Sequence, residues 1–132
     1  MRAYCDFYDV APTDEDLLAL SRALIADRER EGVQLIARSG GAAVGFATIF
    51  WSWATTIAAR IGVMNDLYVT PEARGQGVAD ALVGACLEEC RRHRAAELTW
   101  QTARDNARAQ RVYERLGAER AEWVDYSLSV RP

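Results

Sequence analysis

The run Val69-Thr70-Pro71-Glu72-Ala73-Arg74-Gly75-Gln76-Gly77-Val78-Ala79 holds a strand end, a turn and a helix start. Residues 64–70 read as strand, with Leu67 and Val69 alternating against Asp66 and Tyr68. Pro71 stops the ladder because it has no N–H to donate. From Val78 the apolar spacing turns helical through Ala79, Leu82, Val83 and Cys86. The first N–H groups of that helix lack intrahelical partners and point back into the loop. Gly75 and Gly77 let a ligand come close to the backbone. A helix start of this kind suits a phosphate-bearing ligand by geometry and by dipole. Two familiar phosphate loops do not apply. The chain has no Gly-x-x-x-x-Gly-Lys-[Ser/Thr], and its Gly-x-Gly pair lacks the third glycine of a dinucleotide fold.

At 132 residues the chain is expected to be one domain, large enough to bury roughly two thirds of its unfolded surface. Its net charge of −3, with basic residues scattered, gives no field to hold nucleic acid. A mildly acidic surface suits a cationic amine instead. No apolar run reaches the ~20 residues of a membrane span and no signal-peptide core follows Met1, so a cytoplasmic protein is expected. Cys5, Cys86 and Cys90 make no disulfide framework. Cys86, Cys90 and His93 share one helix face, but the two cysteines continue an apolar stripe and read as small core hydrophobes, so no metal is expected.

Around the central run the elements follow from local pattern. Tyr4, Phe7 and Tyr8 form a short helical face before Pro12. Thr13 with Asp16 marks an N-cap, and the helix runs to about residue 30 with Leu17, Leu20, Ser21 and Leu24 inward. Residues 33–38 and 43–53 read as a hairpin about Ser39-Gly40-Gly41. The helix that starts after Gly75 runs to about residue 94. Residues 97–102 read as strand, 106–116 as a helix closed by Gly117, and 123–130 as a last strand. The order predicts an α/β sandwich with a mixed, mostly antiparallel sheet flanked by helices.

A second constellation lies at residues 105–117, Asp-Asn-Ala-Arg-Ala-Gln-Arg-Val-Tyr-Glu-Arg-Leu-Gly, where Asn106, Gln110 and Tyr113 share a face. Read alone, Asn106 caps a helix and Tyr113 packs in a core. Together with the first run it resembles the GNAT superfamily of N-acetyltransferases. Arg74-x-x-Gly77-x-Ala79 is similar to that family's pyrophosphate loop, and Asn106-x-x-Ala109-x-x-x-Tyr113-x-x-x-Gly117 to its later helix. The family begins with a strand and a helix, and with only twelve residues before Thr13 its first strand is expected to be missing from this sequence. A sheet edge left open in this way is expected to be covered in a homodimer.

The resemblance implies an acetyl-CoA-dependent enzyme without a metal, acting on a primary amine of a small molecule. It places the pyrophosphate on Arg74, Gly75, Gln76, Gly77, Val78 and Ala79. The pantetheine lies along Leu67, Tyr68 and Val69, with Asn106 bonding the cofactor and Ala109 giving it room. Tyr113 becomes the acid for the departing thiolate, since a phenol of ordinary pKa ~10 is protonated at neutral pH. The polyamine and thialysine branch is similar around Asp66-Leu67-Tyr68-Val69 but carries Glu where this chain has Asn65, which removes that base. Asp66 is one candidate base, expected on the opposite face from Asn65 by strand alternation; a water chain or a carboxylate from the N-terminal or final strand stays open beside it. Phe7, Tyr8, Trp51, Trp53 and Asn65, with Trp123 and Tyr126 behind them, are the candidate acceptor residues. Two alternatives stay open: acetylation of a protein lysine or N-terminus, and a non-catalytic acyl-CoA-binding module.

Overall fold

A computed structural model describes residues 1–130. Its contacts divide the chain after Gln101 into two compact units. In the first, α1 (Arg2–Phe7) and α2 (Asp14–Ala26) precede a hairpin of β1 (Gly32–Ser39) and β2 (Ala42–Ala54). A 3-10 turn leads into β3 (Ala59–Val69), followed by a second turn over Pro71–Ala73, α3 (Val78–Arg92) and β4 (Leu98–Thr99). The sheet order is β1-β2-β3-β4, antiparallel except for the β3–β4 pair. The expected mixed, mostly antiparallel sheet is present.

The local signals act where the sequence puts them. Thr13 accepts the Asp16 N–H at 3.1 Å and caps α2, which ends at Ala26, short of residue 30. Gly40 and Gly41 take positive φ at the hairpin turn. One sheet face meets α3. Ala47, Ile49, Trp51 and Met64 pack there with Leu82, Val83, Cys86 and Cys90. Gly62 makes this contact possible, because a Cβ in its place would sit 2.6 Å from the Cys90 sulfur. The other face carries Gln34, Phe46, Thr48, Asp66 and Tyr68, the alternate members of the register, and meets Tyr4 of α1.

Two irregularities break the alternation. Val44 is the extra residue between Ala43 and Gly45 where β2 pairs with β1. Asn65 is the extra residue on β3, since Thr48 pairs with Asp66 but Ile49 with Met64. Such a bulge bends its strand and re-aims side chains.

The second unit holds α4 (Ala107–Arg115), with Asn106 at its N-cap and Gly117 at positive φ after it. Two strand expectations are corrected. The strand expected over residues 97–102 is reduced to Leu98–Thr99, and residues 118–130 form no helix or strand. In the latter stretch Val124, Tyr126, Leu128 and Val130 alternate, but all are exposed. Alternation gives a segment one apolar face; a strand also needs a neighbour to complete its backbone hydrogen bonds, and among the described residues the ladder ends at Thr99.

Candidate active site

The site is built where β4 leaves β3. β4 pairs only with Gly62 and Val63, so the edge of β3 from Met64 to Val69 carries no strand among the described residues. Thr70 donates its N–H to Val44 at 2.9 Å, toward β2. Alternation then turns the backbone groups of Leu67 and Val69 outward, to the open edge. The Val69 carbonyl confirms the direction by accepting from Arg74 Nε at 3.0 Å. Arg74 thereby ties the loop to the strand end and keeps other guanidinium donors for a ligand.

Beyond Arg74 the chain turns through Gly75 and Gly77, at φ 74° and 78°. A Cβ at either would meet nothing within 4 Å, so the glycines serve conformation and leave room beside the loop. Gln76 donates to the Glu72 carbonyl at 2.8 Å, which holds the turn closed. Gly77 is the N-cap of α3, and no side chain caps that helix among the described residues. The first internal bond runs from Ala81 to Gly77, leaving the N–H groups of Val78 and Ala79 outside the helical ladder. An uncapped helix start, open space and an unpaired strand edge fit the pyrophosphate and amide-rich arm of acetyl-CoA.

On the opposite face the bulge gathers the second group. Asp66 is only 8 % exposed, and Asn65 Nδ2 donates to its Oδ1 at 3.1 Å. This corrects the expectation that alternation holds the two apart. The extra residue brings the amide back to the carboxylate. Tyr4 reaches the same point from α1, its hydroxyl 3.4 Å from the Asn65 carbonyl. Burial first, and then the negative charge of Asp66, push the Tyr4 phenol above its ordinary value. Around them Tyr4 stands edge-on to Tyr8, Phe46 and Tyr68, with centroids 5.0, 5.7 and 6.3 Å away, and Phe7 adds to Tyr8 at 5.0 Å.

Of the expected acceptor residues the structure thus unites Phe7, Tyr8 and Asn65, and adds Tyr4 and Phe46. Tyr4 carries a visible signal, its helical spacing with Phe7 and Tyr8. Phe46 carries none, because its place opposite Tyr68 depends on register. Trp51 and Trp53 do not join them. Trp51 is buried on the α3 face, donates Nε1 to the Arg28 carbonyl at 2.8 Å and stacks on His93 at 3.9 Å. Trp53 lies further along β2, exposed, under the Arg60 guanidinium. Trp123 and Tyr126 belong to the second unit and are exposed.

Within the second unit, the Asn106 side chain accepts from the Ala109 N–H at 3.2 Å. The helix-cap reading of Asn106 is therefore realised. Gln110 bonds the carbonyls of Ala103 and Arg104, fixing the loop before α4. Ala109 and Tyr113 are half-buried on that helix.

The cysteines face the core, as their spacing suggests. Burial pushes the Cys86 thiol up to about 12, with Cys90 and Glu89 adding to the rise, and burial likewise raises Cys90. A thiol raised in the folded state contributes stability that is present below its unfolded pKa of ~8.5 and lost as pH climbs toward the folded value. Neither Cys86 nor Cys90 is expected to react with a thiol reagent at pH ~8 in the native protein, while both react in denaturant. The melting temperature is expected to fall between pH ~9 and ~11. Rapid native labelling at either position, read by peptide mass, contradicts this assignment.

The Acetyltransferase (GNAT) family pattern matches residues 1–118. An uncharacterized N-acetyltransferase, YhfO of Bacillus subtilis (strain 168), is 32 % identical over 128 residues, covering 96 % of this chain and 85 % of that protein. A thialysine N-epsilon-acetyltransferase of Bos taurus is 33 % identical over 85 residues, 61 % of this chain and 46 % of its own length. The crystal structure of a probable acetyltransferase superposes with a TM-score of 0.78 at 27 % identity, covering 98 % of this chain and 87 % of that one. No helix among the described residues is long and apolar enough to cross a membrane. With the uncapped loop and open strand edge in place, these matches establish that the chain belongs to the GNAT family and is an acetyl-CoA-dependent N-acetyltransferase.

Proposed function

We propose that the enzyme transfers acetyl to a primary amine of a small, cationic molecule by direct attack in a ternary complex. The observation that carries this reading is the bulge at Asn65. It places a buried carboxylate on the sheet face that carries Phe46 and Tyr68 and meets Tyr4, on the strand whose other backbone groups face the open edge. A carboxylate with aromatic faces suits an ammonium ion better than a neutral acceptor.

Acetyl-CoA supplies the acetyl group as a thioester. Backbone N–H groups of Gly75 to Ala79, with Arg74, bind its pyrophosphate, and the outward groups of Leu67 and Val69 bind its arm, beside Tyr68. Asp66 receives the proton the ammonium must lose before its nitrogen can attack. Asn65, Phe7 and Tyr8 orient the amine. Asn106 and Ala109 are assigned to the cofactor, and Tyr113 to protonating the thiolate, by their place in the motif. Trp51 and Trp53 have no part in this scheme.

The family match takes in both units, which supports one acyltransferase domain over residues 1–132. Among the described residues no strand pairs with the outer edge of β1, which supports a homodimer. Composition supports the cytoplasm as its place.

The test follows CoA release with acetyl-CoA and a panel of diamines, amino acids and lysine-containing peptides. The sequence contains no lysine, so release without added amine cannot come from its own side-chain amines. Turnover with small diamines or amino acids is expected. Turnover confined to peptides sinks the small-molecule reading and favours a protein acceptor. In the same assay Tyr113→Phe is expected to lower kcat by about tenfold or more while the KM for acetyl-CoA stays within about twofold. Full turnover of that variant across the pH range removes Tyr113 as the acid.

A further inference from the structure

The mechanism above uses Asp66 but leaves Tyr4 unexplained. α1 is a short helix whose one buried residue is Cys5, yet its tyrosine reaches across to the bulge on β3. Tyr4 and Asn65 form one connected set with the carboxylate: Tyr4 hydroxyl to the Asn65 carbonyl at 3.4 Å, Asn65 amide to Asp66 Oδ1 at 3.1 Å.

We propose that Tyr4 is a positioning residue for acetyl transfer, acting through Asp66, whose carboxylate it holds in one orientation toward the incoming ammonium. The inference rests on the assignment of Asp66 to the acceptor side. A carboxylate on a strand has a side chain with two free torsions, and burial alone does not choose among its rotamers. A donor held from a second element does choose: the Asn65 amide bonds the carboxylate, and the Tyr4 phenol of α1 donates to the Asn65 carbonyl and holds the bulge in place. Both donors are neutral, so neither cancels the negative charge that the ammonium needs. The phenol is raised above its ordinary range by burial, so it keeps its proton and remains a donor wherever the enzyme works.

The ring and the hydroxyl of Tyr4 do different things, and one substitution separates them. The ring packs edge-on against Tyr8, Phe46 and Tyr68. Tyr4→Phe keeps that packing and removes the hydroxyl alone. The experiment is a double-mutant cycle of Tyr4→Phe and Asp66→Asn, with kcat, the KM of both substrates and melting temperature read for each of the four proteins. Tyr4→Phe is expected to lower kcat/KM for the amine about tenfold, with the KM for acetyl-CoA unchanged. In the Asp66→Asn background the same change is expected to cost nothing further.

An equal loss in both backgrounds overturns the proposal, because a merely structural hydroxyl acts independently of Asp66. So does full activity of Tyr4→Phe, even where Asp66→Asn is impaired; the reading of Asp66 then stands and only the role of Tyr4 falls. Wild-type activity of Asp66→Asn overturns both.

Discussion

Asp66→Asn is expected to lower kcat for amine acetylation by about a hundredfold while leaving the KM for acetyl-CoA within about twofold, the range for loss of a general base. The carboxylate and the loop lie on different faces and ends of the site. Asp66 is paired to Thr48 on the face away from α3, while the loop continues into α3 itself. The substitution is nearly isosteric, and the buried position already has an amide donor in Asn65. The variant therefore keeps a hydrogen-bonding partner and is expected to fold. What it loses is the charge that attracts the ammonium and accepts its proton. Steady-state kinetics with both substrates varied, beside thermal melts with and without CoA, decide the matter. A kcat within threefold of wild type at unchanged melting temperature removes Asp66 from the chemistry.

The double substitution Gly75→Ala and Gly77→Ala is expected to raise the KM for acetyl-CoA by about thirtyfold or more. Both residues sit at left-handed φ, which costs a residue with a Cβ roughly 1–2 kcal/mol each. Space is not the obstacle, since neither Cβ would touch anything within 4 Å. The penalty is therefore conformational. If the loop keeps its shape, the protein loses stability; if it relaxes, the N–H groups at the start of α3 lose their aim and the ligand loses affinity. Roughly 2 kcal/mol taken wholly from binding corresponds to about thirtyfold in Kd. Calorimetry with CoA and melts of the free protein divide the cost between the two. An unchanged Kd together with an unchanged melting temperature contradicts the assignment of this loop to the donor.

Much of this architecture is legible in the chain. Thr13 with Asp16 marks a cap, Gly40 and Gly41 a hairpin, and Pro71 the end of a ladder, because each acts through its own backbone. Reading failed where the answer depended on neighbours. Residues 123–130 have a strand's alternation and no ladder. Trp51 has the look of a cation-binding aromatic, yet packs against His93 in the core. Asn65 and Asp66 alternate on paper and come together in space, because a bulge is a property of two strands and not of one.

The sequence by itself determined the loop proposed to hold the donor. A proline, two glycines and a helix start are local instructions, and their geometry is complete within about ten residues. Only the tertiary structure decided the group proposed to receive the amine. Tyr4, Phe46, Asn65 and Asp66 come from three elements far apart in the chain, joined by register, by one extra residue on β3 and by the packing of α1. None of those is encoded by any single segment, since pairing and burial arise only when distant segments meet.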